Sequence, residues 1–321
     1  MSRTGRSGST TTGPRSAAAR AWVAAVSSAA RLVSDRPQLW LVGGLAWAVT
    51  FAPLALLAAV VPAPSVSDMT SLGARTFVSA TWPWNVVALG VLAALVALVA
   101  LGLLTLTEVG LRGDPGAETP STTARAFAVT LCGALPTLAV AAVTALAAAA
   151  VAPDEFASPD TANGGPLLRT LLRLGPLLAL LLVSGVIGGA YASAARALVL
   201  DGGSGVRRAL ADAPRVLARA GLAAVLHAFA TFVARLAYLG FAILLLGVLW
   251  QPIGAELAAG AGFGVAQVAL LVGFVAIWLC LVLGGGALYA WGSVAWTRIL
   301  AVTTPPVGLV IADTKETPSV L

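Results

Sequence analysis

Long apolar runs, separated by short polar segments rich in Arg, Gly and Pro, set the pattern of this 321-residue chain. A hydrocarbon core of about 30 Å takes roughly 20 helical residues, and six runs reach that length. They lie at Leu39–Val61, Asn85–Thr107, Ala126–Val151, Pro176–Leu200, Leu222–Trp250 and Gly264–Leu300. The last two exceed a simple crossing, so they must tilt or extend beyond the bilayer. The pattern predicts an all-α fold, a polytopic transmembrane helix bundle of six spans.

Two basic segments carry a helical period of another kind. Within 204–219, Val206, Leu210, Ala213 and Leu217 share one face, while Arg208, Asp212, Arg215 and Arg219 lie opposite. Within 20–33, Trp22, Val26, Ala29 and Val33 share one face, and Arg20, Ser27 and Arg31 the other. Each segment directly precedes a span, so 20–35 and 204–219 are expected to be interfacial amphipathic helices. Pro214 offers a second helix start, with Asp212 or Ala213 as its cap. The turn Asp201-Gly202-Gly203-Ser204 supplies glycine for a sharp exit and a hydroxyl or acid to cap the next helix.

Composition agrees with a membrane bundle. Hydrophobic residues make up 59% of the chain and charged residues 10%, with a mean hydropathy of +0.95; soluble proteins carry about 25% charged residues. The net charge of +6 would fit nucleic acid in a soluble protein, but its distribution fits a membrane orientation instead, and no nucleic-acid partner is expected. Fifteen cations fall in segments assigned to the cytoplasm, three (Arg75, Arg169 and Arg173) on the opposite side, and Arg235 inside a span. That asymmetry predicts a multi-pass protein of the plasma (inner) membrane with both termini cytoplasmic. Trp40, Trp82, Trp84, Trp250 and Trp296 stand near span ends, as an interfacial aromatic belt requires. The Ser-, Thr-, Gly- and Arg-rich residues 1–19 read as a disordered tail, 20–302 as the membrane domain and 303–321 as a second cytoplasmic tail. No short apolar region of a cleavable signal peptide precedes residue 21.

Few residues can carry chemistry. Cys132 and Cys280 both lie in apolar runs, which excludes a disulfide framework or a cysteine-rich zinc site. The chain has no GxxxxGK[ST] phosphate loop, no HExxH and no paired intramembrane carboxylates. No catalytic, cofactor-binding or metal-ligating residue is assigned, and no enzyme activity is expected. The polar residues that stand out form a candidate intramembrane cluster: His227, Thr231, Arg235 and Tyr238 on span five, with Glu108 at the inner end of span two. An Arg at the centre of a span costs about 2.5–3.5 kcal/mol on insertion scales. Arg235 must therefore snorkel to the interface or line a polar cavity with Glu108 as its counter-ion. The lone His227 reads as a hydrogen-bonded packing residue. Gly185, Gly189 and Ser193 form a small-residue stripe expected to pack closely within the bundle. Gly284-Gly285-Gly286 and Pro136 mark positions of either hinging or close approach.

The stretch Ala192-Ser193-Ala194-Ala195-Arg196 to Asp201-Gly202-Gly203-Ser204, with the basic 206–219 segment after it, resembles bacterial six-span proteins related to the membrane-anchor domain of glycerophosphodiester phosphodiesterases. The resemblance covers about the last 130 residues. It implies a span leaving into a Gly-Ser turn and a surface helix before the next span, and it carries over no catalytic residue. Two functions fit these readings. The leading one is a non-enzymatic integral membrane scaffold or accessory partner at the inner leaflet. It would hold the bilayer, including anionic lipid, through Arg207, Arg208, Arg215 and Arg219, and would take a membrane-protein partner. The alternative is a transporter or permease subunit with a polar cavity lined by span five.

Overall fold

The structure, a computed structural model, describes residues 14–61, 71, 84–112, 120–157, 166–259 and 264–303. Regular structure among them is helical: α1 (Pro14–Asp35), α2 (Gln38–Thr50), α3 (Ala52–Val60), α4 (Trp84–Arg112), α5 (Pro120–Ala157), α6 (Pro166–Leu200), α7 (Val206–Ala258) and α8 (Val265–Thr303). Residues 1–13 and 304–321 of the expected tails, together with Arg75 and Trp82, lie outside the described residues. Five segments are long and apolar enough to cross a membrane: Gly90–Arg112, Pro120–Val151, Leu168–Leu200, Val206–Ala258 and Val265–Ala301. The bent pair α2 and α3 makes a sixth if it is one span. Among the described residues, five or six helical segments thus have the length and composition of membrane spans, as in a multi-pass membrane protein. Its outward side chains agree, since Leu95 and Val99 on α4, Leu244 and Val248 on α7, and Val272 on α8 are all exposed.

The first apolar run, read as one crossing, is two helices meeting at 53°. Its break falls at Phe51, with Pro53 in the first turn of α3. Proline removes an amide donor and crowds the preceding turn, so the run cannot continue as one straight helix.

Helix α7 also contains a break. Gly221 has φ 49° and ψ −126°, which divides the element into a basic limb of residues 206–220 and a membrane limb of 222–258. Only glycine reaches that backbone region without steric penalty. Pro214 starts no new helix and lies inside the first limb. Asp212 caps nothing; it receives Arg215 at 3.0 Å and Arg208 at 3.7 Å. The expected Ser204 cap is likewise not made, because Gly205 occupies the N-cap without a side-chain hydrogen bond. The turn itself closes through Gly203 at φ 60° and a Ser204 amide bond to the Leu198 carbonyl (3.1 Å).

The basic limb lies on the bundle. Ala209, Ala213, Val216 and Ala220 are buried in one cluster with Ala25 of α1, Val109 of α4, Val129 of α5, Ala195 of α6 and Ile299 of α8. Tyr191 donates to the Leu210 carbonyl at 2.7 Å. Arg207, Arg208, Arg215 and Arg219 remain exposed. Helix α1 joins the same end through Ala25, Ala29 and Val33, with Trp291 donating to the Val26 carbonyl (3.3 Å). A second apolar cluster, with Ala55, Leu246, Ile253 and Phe274, ties α3 to the far ends of α7 and α8.

Glycines set the tightest contacts. A Cβ on Gly285 would enter the Trp47 ring, and one on Gly286 would meet Trp40 and Gly44 of α2. The triple glycine therefore permits close approach of α2, and of Tyr238 on α7, to α8. Between α5 and α6, a Cβ on Gly188 would stand 2.6 Å from the Gly133 carbonyl oxygen, and one on Gly133 would stand 2.6 Å from the Ala192 methyl. At the opposite end of this hairpin, buried Glu155 binds Arg169 (2.7 Å) and Arg173 (2.8 Å), clamping the end of α5 to the start of α6.

Candidate functional site

Among the described residues, helix packing leaves a space that polar residues enter. A cavity of about 810 Å³ lies between the α5–α6 hairpin and helices α4, α7 and α8, with Phe51 of the α2–α3 break also in its wall. Most of its lining is apolar. The polar groups gather toward the end where α4, α6 and α8 finish: Glu108, Thr130, Arg196, His227, Arg235 and Ser293.

Glu108 anchors this group and is 6% exposed. Ser293 donates to its Oε2 at 2.6 Å and Tyr289 to its Oε1 at 3.0 Å. Arg112, one turn on, stands 3.9 Å away and also binds Asp201 in the turn after α6 at 3.2 Å. Asp201 lies outside the spans, and burial raises its carboxyl above the usual range against the pull of Arg112.

Of the two readings of Arg235, the cavity one holds without the direct ion pair to Glu108. Its guanidinium carbon lies 4.8 Å over the Tyr289 ring, a cation–π contact, and Tyr289 spends its hydroxyl on Glu108. The aromatic ring thus links the two charges without direct contact. Arg235 lines the cavity, and its Nε is buried without a hydrogen-bond partner among the described residues. Arg196 of α6 is 8% exposed. It reaches Ser193 at 3.0 Å and Thr130 at 3.3 Å, yet its Nε also lacks a partner. No carboxylate lies within 4 Å of either guanidinium among the described residues.

His227 is held between Trp296, stacked at 5.6 Å, and Trp291, edge-on at 6.1 Å. Its Nε2 is 2.8 Å from the Gly292 carbonyl, which can only accept, so Nε2 carries the proton. Nδ1 is then an acceptor without a partner. Thr231 turns its hydroxyl back to the His227 carbonyl (2.8 Å) and presents its remaining surface to the cavity. Tyr238 lies elsewhere: it donates to the Leu281 carbonyl at 2.9 Å and packs edge-on against Trp47. Four of the five cluster residues read from the sequence therefore meet at the cavity, and Tyr238 belongs to the α2–α8 packing.

Gly185, Gly189 and Ser193 also line the cavity. A Cβ at Gly189 would meet nothing within 4 Å. The close-packing face of α6 is the neighbouring one, through Gly188 and Ala192. Sequence reading does not single out Arg196, Tyr289, Ser293 and Thr130 as site residues. A signal exists for two of them, since Tyr289 and Ser293 are four apart in an apolar run and so share a helical face.

No protein-family model, curated protein or solved structure matches the chain. Geometry and charge alone therefore bear on its role. Among the described residues no group of three His, Cys, Asp or Glu side chains could hold a metal ion.

Proposed function

We propose that the chain is a ligand-carrying membrane bundle, a transporter or permease subunit without enzyme activity, whose working element is the chamber between the α5–α6 hairpin and α7. It lies in the bacterial plasma membrane with six crossings, α2 and α3 forming one, and with both termini cytoplasmic. In that orientation the basic limb of α7 rests at the inner leaflet, and Arg207, Arg208, Arg215 and Arg219 face anionic headgroups, each contributing about 1 kcal/mol.

One observation carries the reading. Arg196, Arg235 and His227 all line an 810 Å³ chamber, and no carboxylate is within 4 Å of either guanidinium among the described residues. A passive scaffold has no use for such groups, which packing would fill or pair. Chambers of about 300–1,000 Å³ suit small ligands.

The test is solvent access. In a chain with Cys132 and Cys280 replaced by Ala, Thr231→Cys is expected to react with a membrane-impermeant thiol reagent. Lipid-facing Leu244→Cys is expected to stay unreacted. Equal protection of both positions would overturn the chamber reading.

A further inference from the structure

The charge of the chamber defines its ligand. Arg112 and Arg196 stand near Glu108, Arg235 stands over Tyr289, and Arg112 is shared with Asp201, so three guanidinium groups meet two carboxylates. Glu108 has Ser293 and Tyr289 on its two oxygens, and Arg112 beside it. Arg196 and Arg235 thus keep donor capacity toward the chamber. Arg196 is more than nine-tenths buried at the chamber wall and its terminal nitrogens reach only the hydroxyls of Thr130 and Ser193, so further N–H groups of this fork suit a planar or tetrahedral oxyanion.

The shape of the chamber defines how that ligand arrives. Leu182 and Val186 of α6, with Phe232 and Leu236 of α7, line the chamber and are exposed apolar residues. The chamber is partly open rather than enclosed, and exposed apolar side chains of both α6 and α7 stand in its wall, which makes the seam between these helices the apolar way in. Its wall is apolar along that path and cationic at the Arg196 end. A hydrated free ion gains nothing from such a path, while an amphiphile matches both ends. The volume accommodates a headgroup and the first part of its chains, leaving the rest in the bilayer.

We propose that Arg196 and Arg235 bind the phosphodiester headgroup of an anionic membrane phospholipid, which enters sideways between α6 and α7. This rests on the chamber being the working element, and it adds the ligand class and the route of entry. The surface arginines of α7 meet headgroups in the leaflet and are not part of this site.

Native mass spectrometry of protein released from nanodiscs tests it, with equal parts phosphatidylglycerol and phosphatidylcholine as the probe. The parent is expected to retain phosphatidylglycerol at least tenfold over phosphatidylcholine. The double variant Arg196→Gln/Arg235→Gln is expected to lose the one phosphatidylglycerol that survives the highest activation energy, while a variant with Arg207, Arg208, Arg215 and Arg219 changed to Gln sheds only lipid that leaves at low energy and keeps that one. Should the double variant fail to fold, Gly189→Phe fills the chamber at a position with open space and is expected to displace the lipid. Equal retention of the two lipids by the parent would overturn the proposal, as would retention unchanged in Gly189→Phe. Displacement by millimolar glycerol 3-phosphate would show a site for free anions and overturn the amphiphile. Labelling of Thr231→Cys in delipidated protein in detergent, without lipid preference, would sink this inference alone, whereas absence of labelling in that delipidated protein would sink the chamber itself.

Discussion

Removing the Glu108 carboxylate is the most informative single perturbation, because three side chains lean on it directly. Glu108→Ala deletes the acceptor for Ser293 at 2.6 Å and Tyr289 at 3.0 Å, and the neighbour of Arg112 at 3.9 Å. Hydrogen bonds to a charged group contribute about 1.5–3 kcal/mol each in soluble proteins, and leaving a buried charge uncompensated costs about 3–5 kcal/mol. Within membranes the unfolded reference state finds other partners, and single hydrogen bonds average about 0.6 kcal/mol. Glu108→Ala is therefore expected to cost between about 1.2 and 5 kcal/mol, taking two weak bonds as the lower limit. Glu108→Gln keeps one acceptor oxygen and should cost about half as much. The assay is the unfolding midpoint in a denaturing-detergent titration, followed by tryptophan fluorescence. A cycle with Ser293→Ala isolates the pair and should return a coupling of about 0.5–1.5 kcal/mol. Both Glu108 variants also make the chamber more cationic, so any that folds should retain more anionic lipid. An unchanged midpoint in Glu108→Ala, or lower lipid retention in a folded Glu108→Gln, would refute the reasoning.

Other consequences follow from single positions. Gly285→Ala drives a methyl into the Trp47 ring and should destabilise by about 1–3 kcal/mol, while Gly189→Ala, in open space, should stay within about 0.5 kcal/mol of the parent in the same titration. Gly221→Ala places a side chain at φ 49° and should cost about 1–2 kcal/mol; Gly240→Ala, in open helical surroundings, is the control. Burial holds the Asp201 carboxyl above its ordinary range, so its contribution to stability is present below the unfolded value and is lost as pH rises through the raised one. Asp201→Asn should thus gain on the parent as pH rises through that range in thermal unfolding, by about 1 kcal/mol or less given its exposure. A phosphatase fused after Leu321 should be inactive and a fluorescent protein there bright; the reverse would overturn the orientation.

Much of this architecture is legible in the sequence because membranes constrain periodicity and length. The end of span four at Leu200 and the start of span five at Leu222 coincide with the end of α6 and the residue after the Gly221 break. Leu39–Val61 is harder. Hydropathy counts apolar residues and does not register that Pro53 bends the run, although the proline itself is visible. The small-residue stripe on α6 falls one position away from the tight face, because Gly185, Gly188 and Gly189 lie near one another and only the partner helix decides between them. Arg196 looks, in sequence, like one more cytoplasmic cation. Its site role follows from Thr130, 66 residues away in the chain, and no local pattern encodes that approach. Arg235 and Glu108 both stand out through the expense of charge in a membrane. Tyr289, the ring between them, carries no charge and gives no comparable signal.

The most direct test of the central claim is an experimental structure of the protein in phosphatidylglycerol-containing lipid, at a resolution that shows side chains. An open chamber is expected, with tetrahedral headgroup density between Arg196 and Arg235 and chain density leaving between α6 and α7 past Val186 and Leu236. Helix α6 packed directly against α7, with Arg196 and Arg235 paired to protein carboxylates and no space between them, would contradict it.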